Sequence, residues 1–142
     1  MNALFGLLYL LHLPLWILML LFPKTNVTRR LVTSPWPFIV LGGIDALLLI
    51  VAITGLPPAS WGLSLASLRA LLASDAGLLA VWANLLTLGL FAGVWIHRDA
   101  GYWSIGPAPY LLLTHFAAPV GLGAYHLQRR RRERRDVFRT LN

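Results

Sequence analysis

Residues 82–101, WANLLTLGLFAGVWIHRDAG, form one apolar run with an amide near its start and the polar triplet His97-Arg98-Asp99 at its end. A transmembrane helix needs about 20 mostly apolar residues, and this run has that length. Backbone groups in hydrocarbon must pair within their own segment, so a helix is the expected form. The stretch therefore predicts a membrane span whose exit is marked by the triplet.

Three other segments share this length and composition. Together with the quoted run, taken as 77–97, they predict spans at 3–22, 36–55 and 107–127. Pro14 and Pro119 lie inside the first and last of these segments, and each predicts a kink with a freed carbonyl. The predicted fold class is all-α, a polytopic membrane protein with four transmembrane helices.

Composition supports a membrane protein with a basic tail. The 142 residues are 58% hydrophobic and only 12% charged, about half the charge of a usual soluble domain. Seven of the eleven arginines follow residue 128, which divides the chain into a transmembrane domain at 1–127 and an Arg-rich tail at 128–142. The N-terminal run has no basic n-region and no small-residue cleavage site, so we expect a retained span.

The absence of cysteine excludes disulfides, thiolate catalysis and cysteine-ligated metal centres. Clustered metal-ligand spacings are also missing, so no metal site is expected.

The segment between the second and third spans, residues 58–76, is more than a loop. From Ser64 onward, leucines recur at helical spacing, at Leu65, Leu68, Leu71 and Leu72. This pattern predicts a short amphipathic helix that lies in the membrane interface or packs on the spans.

Basic residues give the expected orientation. With four spans, one side of the membrane holds Lys24, Arg29, Arg30 and Arg98, and the other holds Arg69 and the tail arginines. By the positive-inside rule, this count places both termini of a multi-pass membrane protein in the cytoplasm.

Polar side chains at membrane depth cost free energy, so each one is a functional candidate. Asp45 is a candidate for proton transfer or for accepting a hydrogen bond from another helix, and the alternative is a carboxyl group that is protonated or paired inside the bundle. His12 and His115 are candidates to ligate the magnesium of a chlorophyll or to bond a polar lipid group, and the alternative is an interhelical hydrogen bond. Asn84, the amide of the quoted run, contacts a ligand or holds a neighbouring helix.

Two further features suggest partners. Gly89 and Gly93 form a G-x-x-x-G pair that allows close approach of a helix from another membrane-protein subunit. The tail favours anionic lipid headgroups over an acidic protein, although its charges also act as a topology signal. Nucleic acid is not expected, since no folded basic platform accompanies the run. The lipid-binding candidates are Arg129, Arg130, Arg131, Arg132, Arg134 and Arg135.

Three stretches carry a family resemblance, at residues 13–42, 82–100 and 113–125. The first reads as an apolar span, Pro-Lys, a Thr-Arg-Arg turn and a Pro-led span ending in Leu-Gly, and the last contains Pro119-Val120-Gly121. In their order and spacing, these stretches resemble the abscisic-acid-deficient-4-like membrane proteins, which are linked in plants to neoxanthin formation from violaxanthin.

The quoted run departs from the family pattern. Where the family has histidine, aspartate and arginine, this chain has Asn84, Gly89 and Val94. Asp99 is retained near the end of the run, whereas Ala118 replaces a glycine. Rearranging a carotenoid epoxide needs proton transfer, for which the three lost side chains are natural candidates and their replacements are not. No catalytic residue is therefore expected.

The resemblance and these departures together favour a non-catalytic accessory subunit of a larger membrane complex that holds carotenoid or (bacterio)chlorophyll. The alternative is an enzyme of xanthophyll epoxide modification that uses Asp45, Asp99 and a histidine. A small transporter is a weaker interpretation, because few polar residues would line its path. The candidate pigment contacts are His12, Asn84, Phe91, Trp95, His115 and Phe116.

Overall fold

The computed structural model describes residues 2–140, which form seven α-helices and one short 3-10 helix at Pro58–Ser60. The α-helices are α1 Asn2–Leu21, α2 Asn26–Thr33, α3 Trp36–Thr54, α4 Leu65–Ala73, α5 Asp75–Tyr102, α6 Ala108–Phe116 and α7 Ala118–Thr140. The all-α prediction is confirmed for the described part of the chain.

Three of these helices are long and apolar enough to cross a membrane, as expected of a multi-pass membrane protein. They cover Ala3–Leu21, Trp36–Thr54 and Asp75–Tyr102. Ser74 caps the start of the third, since its hydroxyl oxygen accepts a hydrogen bond from the Gly77 N–H at 3.0 Å. It runs to Tyr102, five residues beyond the predicted end at 97.

The fourth predicted span, 107–127, is wrong as a single helix. Ala117 leaves the helical conformation (φ −148°, ψ 87°) and divides the segment into α6 and α7. Pro119, the second residue of α7, has no N–H with which to continue the hydrogen bonds of α6. The prolyl kink expected inside this span is therefore a complete break, while α1 continues through Pro14.

A helix, α2, replaces the Thr-Arg-Arg turn that was expected after the first span. Thr25 caps α2, since its hydroxyl oxygen accepts from the Thr28 N–H at 3.3 Å. Thr28 and Val32 are buried, whereas Arg29 and Arg30 are exposed. Eight residues are too few to give a clear periodic signal, so the sequence suggested only a turn.

The amphipathic helix predicted from Ser64 is confirmed as α4. Ser64 caps it by accepting from the Ser67 N–H at 3.1 Å. None of its side chains is buried, and Leu65, Leu68 and Leu72 are exposed. Packing on the spans would have covered these leucines, so the exposure favours the interfacial interpretation.

The chain divides into two compact units. Unit 1 comprises Met1–Leu13 and Pro35–Thr87, and unit 2 comprises Pro14–Ser34 and Leu88–Asn142. In unit 1, the buried side chains Leu8, Leu79 and Ala83 form a core against which Ile44, Leu48 and Leu86 pack. The buried side chains of unit 2 include Trp16, Met19, Leu90, Ile96, Leu111 and Tyr125.

Candidate functional site

A polar cluster in unit 1 joins three helices. His12 of α1 is buried, with Nδ1 2.7 Å from the Leu8 carbonyl oxygen and Nε2 3.2 Å from the Thr87 hydroxyl oxygen of α5. The Thr87 side chain also forms a hydrogen bond with the carboxyl group of Asp45 on α3. The sequence-predicted residues Asp45 and His12 are thus connected through a threonine.

The donors and acceptors of this cluster limit where its protons lie. The Leu8 carbonyl only accepts, so Nδ1 of His12 carries a proton. If the imidazole is neutral, Nε2 accepts from Thr87, and the threonine oxygen must then accept from a protonated Asp45. If the imidazole is charged, Thr87 accepts from it and donates to an Asp45 carboxylate. Both arrangements have no net charge, and they differ by proton transfer through the Thr87 hydroxyl.

A second polar cluster lies in unit 2, at the end of α5. The Tyr125 hydroxyl donates to Oδ2 of Asp99 at 2.6 Å, and Nη1 of Arg129 lies 3.5 Å from Oδ1. Arg129 also donates from Nε to Glu133 at 3.0 Å, and its guanidinium carbon lies 5.4 Å from the centre of the Trp103 ring. Both oxygens of the retained Asp99 are therefore engaged.

The turn after α5 helps to position this cluster. The Ile105 N–H donates to the Ala100 carbonyl at 2.9 Å, which closes the helix with a Schellman-type bond. Ser104 takes the left-handed conformation that this closure needs, with φ +52°. The closure ends α5 at Tyr102, directly before Trp103, whose ring the Arg129 guanidinium faces.

Aromatic rings surround Tyr125, which is fully buried. The rings of Trp95 and Tyr110 meet it edge to face, with centroids 5.7 Å and 5.5 Å away. The ring of Trp95 also lies 5.1 Å from that of His126. The predicted pigment contact Trp95 is thus part of an aromatic cluster within unit 2.

A close contact in unit 2 involves one of the two predicted interface glycines. The Trp16 ring occupies the space beside Gly93, where an added Cβ would lie 2.7 Å from Cη2 of the ring. Trp16 also meets His115 edge to face at 4.9 Å. Gly89 is buried too, with Ala118 at van der Waals distance. Both glycines serve packing within this chain, and contact with another subunit through them stays a prediction.

The candidate pigment contacts divide between the two units. His12 and Asn84 belong to unit 1, whereas Phe91, Trp95, His115 and Phe116 belong to unit 2. Within the second set, the rings of His115 and Phe116 meet at 5.2 Å. Asn84, Phe91 and Phe116 are exposed, and Phe116 keeps 85% of its surface accessible.

Sequence reasoning missed Thr87 and Tyr125. Threonines in spans usually bond to their own helix backbone, as Thr54 does here with the Ile50 carbonyl at 2.8 Å, so composition does not distinguish Thr87. For Tyr125, the retained Asp99 was the available signal, because a carboxylate near a span end needs a partner. In the described residues, no three histidine or acidic side chains gather as a metal site would require.

Comparison with known proteins gives one match. No curated protein and no solved structure matches the chain. A family model described as "ABA DEFICIENT 4-like" matches residues 3–125, which cover every helix up to and including the first part of α7. The match contains the three departures, the His12–Thr87–Asp45 cluster and Asp99. This chain belongs to the ABA DEFICIENT 4-like family.

Proposed function

We propose that this protein is a non-catalytic accessory subunit of a larger membrane complex that holds carotenoid or chlorophyll pigments. In this role it packs against neighbouring helices and binds lipid or pigment along exposed apolar faces. The pigment class comes from the family's link to neoxanthin formation and is an analogy at the level of the family.

The proposal rests on where the structure places the three departures from the family pattern, Asn84, Gly89 and Val94. Gly89 is closed off by Ala118, and Val94 is buried. Asn84 is exposed and carries an amide that does not exchange protons at neutral pH. At these three positions the family has ionisable side chains. In this chain Gly89 and Val94 contribute to packing and Asn84 offers a neutral polar contact, and these roles suit binding better than proton transfer.

The exposed faces of unit 2 support binding of an extended apolar molecule. Phe116 stands at the break between α6 and α7, with the ring of His115 against it. Phe91 is also largely exposed. Flat aromatic surfaces in hydrocarbon suit contact with a polyene or an acyl chain.

The arginines of α7 fit the expected lipid contact in part. Arg130, Arg131, Arg132, Arg134 and Arg135 are exposed, whereas Arg129 is engaged with Asp99, Glu133 and Trp103. Each exposed arginine near an anionic bilayer contributes about 1 kcal/mol of binding. We therefore assign headgroup binding to the five exposed residues.

Gentle purification from native membranes tests the proposal. The full chain should elute with larger membrane proteins and with visible pigment absorption. Replacing both Phe91 and Phe116 by alanine should lower the pigment content per chain. A matched control is Leu21→Ala, which alters another exposed apolar side chain of unit 2. Recovery of a colourless chain without partners would contradict the proposal.

The His12–Thr87–Asp45 cluster favours one second candidate, an enzyme of xanthophyll epoxide modification. A hydroxyl between an imidazole and a carboxyl group offers a path for the proton movement that epoxide rearrangement requires. Co-expression with violaxanthin and analysis of the pigments tests this function. Product that disappears with Thr87→Val, and persists with the control Asp75→Asn, would establish the enzyme and displace the accessory role.

A further inference from the structure

The side chain of Asn84 combines exposure with depth in the membrane. α5 has 28 residues, so at 1.5 Å per residue it is about 42 Å long, and Asn84 lies about 7 Å from its midpoint. The hydrocarbon core extends about 15 Å on each side of the bilayer centre. When α5 spans the membrane, this amide faces hydrocarbon.

Among the residues whose side chains the structure describes (3–58 and 60–135), none forms a hydrogen bond with this amide. The exposed leucines of α5 next to it, Leu85 and Leu88, are apolar and are 57% and 56% accessible. Acyl chains have no polar atoms, and an asparagine side chain is too short to reach the headgroups from this depth. An amide left unpaired in hydrocarbon is costly, so a polar partner from another molecule is required.

We infer that Asn84 pairs with Asn84 of a second copy of this chain, in a two-fold contact between the two α5 helices. A primary amide has both N–H donors and a carbonyl acceptor, so two facing copies satisfy each other with reciprocal N–H···O bonds. A two-fold axis places identical residues opposite each other, which is the arrangement this pairing needs. The two Asn84 amides alone therefore complete the reciprocal pair.

The helix face that carries Asn84 continues with an exposed apolar side chain. Leu88, one turn later on the same face of α5, keeps 56% of its surface accessible. A second copy can therefore approach along this face and bring the two amides together.

The inference is independent of the proposed function, and synthetic membranes without pigment test it alone. The chain has no cysteine, so single cysteines introduced as Leu88→Cys, one turn after Asn84, or, as a control on α3, Leu47→Cys report specific contacts. Both positions are exposed. In dilute liposomes under mild oxidation, Leu88→Cys should form a cross-linked dimer, while Leu47→Cys should stay monomeric.

Energy transfer between labelled copies then measures the role of the amide. Asn84→Leu should weaken dimerisation about tenfold, the loss expected for interhelical amide hydrogen bonds in a membrane. Asn84→Gln, which keeps the amide, should retain most of the association. Since Asn84 has no hydrogen-bond partner in the described residues, neither change should reduce thermal stability of the monomer in detergent.

Three results would overturn the inference. One is equal dimerisation of Asn84→Leu and the parent. Another is a parent chain that stays monomeric at every protein-to-lipid ratio. The third concerns the chain purified from native membranes. If it is a monomer with a bound lipid, pigment or different protein, and Asn84→Leu abolishes that binding, the partner of the Asn84 amide is that molecule and not a second copy.

Discussion

The polar clusters of the two units use a carboxyl group in opposite ways. Asp45 stands at the middle of α3 and meets only groups that can be neutral, the Thr87 hydroxyl and, through it, the His12 imidazole. Asp99 lies near the end of α5 and meets Arg129, a permanent cation, together with the Tyr125 hydroxyl.

Position in the membrane explains this difference. A lone carboxylate at the centre of the bilayer costs several kcal/mol, whereas a chain of groups without net charge avoids most of that cost. Near a helix end, water and headgroups reduce the penalty, and an ion pair can persist. The first cluster is therefore suited to share a proton and the second to hold two helices together.

The largest effect is expected from Gly121→Ala, which disrupts the unit that holds the charged cluster. The bend between α6 and α7 places Gly121 against Thr114, and an added Cβ would overlap the Thr114 backbone. Backbone must shift to relieve this overlap, at a cost of more than about 3 kcal/mol. Thermal unfolding in detergent should show the loss. Gly123→Ala is the matched control, because no atom lies within 4 Å of its added Cβ; equal stability of both variants would contradict the bend.

The next largest loss of stability is expected in the charged cluster of unit 2. Asp99→Asn removes the charge that faces Arg129 and weakens the acceptor for Tyr125, so we expect a loss of about 2 kcal/mol. Asp75→Asn, an exposed acid at the start of the same helix, should cost a few tenths. Chemical unfolding in micelles measures both. A similar loss for the two variants would show that Asp99 has no special role.

Three of the four predicted spans are helices long and apolar enough to cross a membrane, and they were predictable because length and hydropathy are local properties. The helix that follows Ser64 was likewise predictable, since its leucine spacing is a property of a few adjacent residues. The break at Ala117 was not predicted, because an apolar run reads the same whether one helix or two short helices fill it. Pro119 suggested a kink, but the complete break depends on Gly121 allowing contact with Thr114.

The candidate sites were predictable only as single residues. Asp45, His12 and Asp99 were recognisable as ionisable groups in apolar runs, yet their partners lie on other helices. Thr87 and Tyr125 resemble ordinary residues of a span until packing brings them to a carboxyl group. The indole of Trp16 beside Gly93 was likewise not predictable, because Trp16 lies on another helix, and contact with another subunit through Gly93 stays a prediction.

A moderate effect is expected from Thr87→Val, which removes the link of the neutral cluster while keeping its shape. Hydrogen bonds between membrane helices contribute about 1 kcal/mol, so unit 1 should lose about that much stability. Thr54→Val, whose hydroxyl bonds only to its own helix at Ile50 and Val51, should be nearly neutral. The difference between the two variants in thermal unfolding isolates the link, and no difference would mean that His12 and Asp45 are held without Thr87.

The smallest effect is expected at the outer edge of the charged cluster. Glu133 pairs with Arg129 one turn earlier on α7, and both side chains are partly accessible. Such a pair on a helix surface contributes a few tenths of a kcal/mol and is screened by salt. Glu133→Gln should therefore lower stability slightly at low ionic strength and hardly at all in molar salt. If Glu133→Gln cost as much stability as Asp99→Asn, Arg129 would be held mainly by Glu133 of its own helix. The charged cluster would then not join α5 to α7, and its contrast with the neutral cluster would be lost.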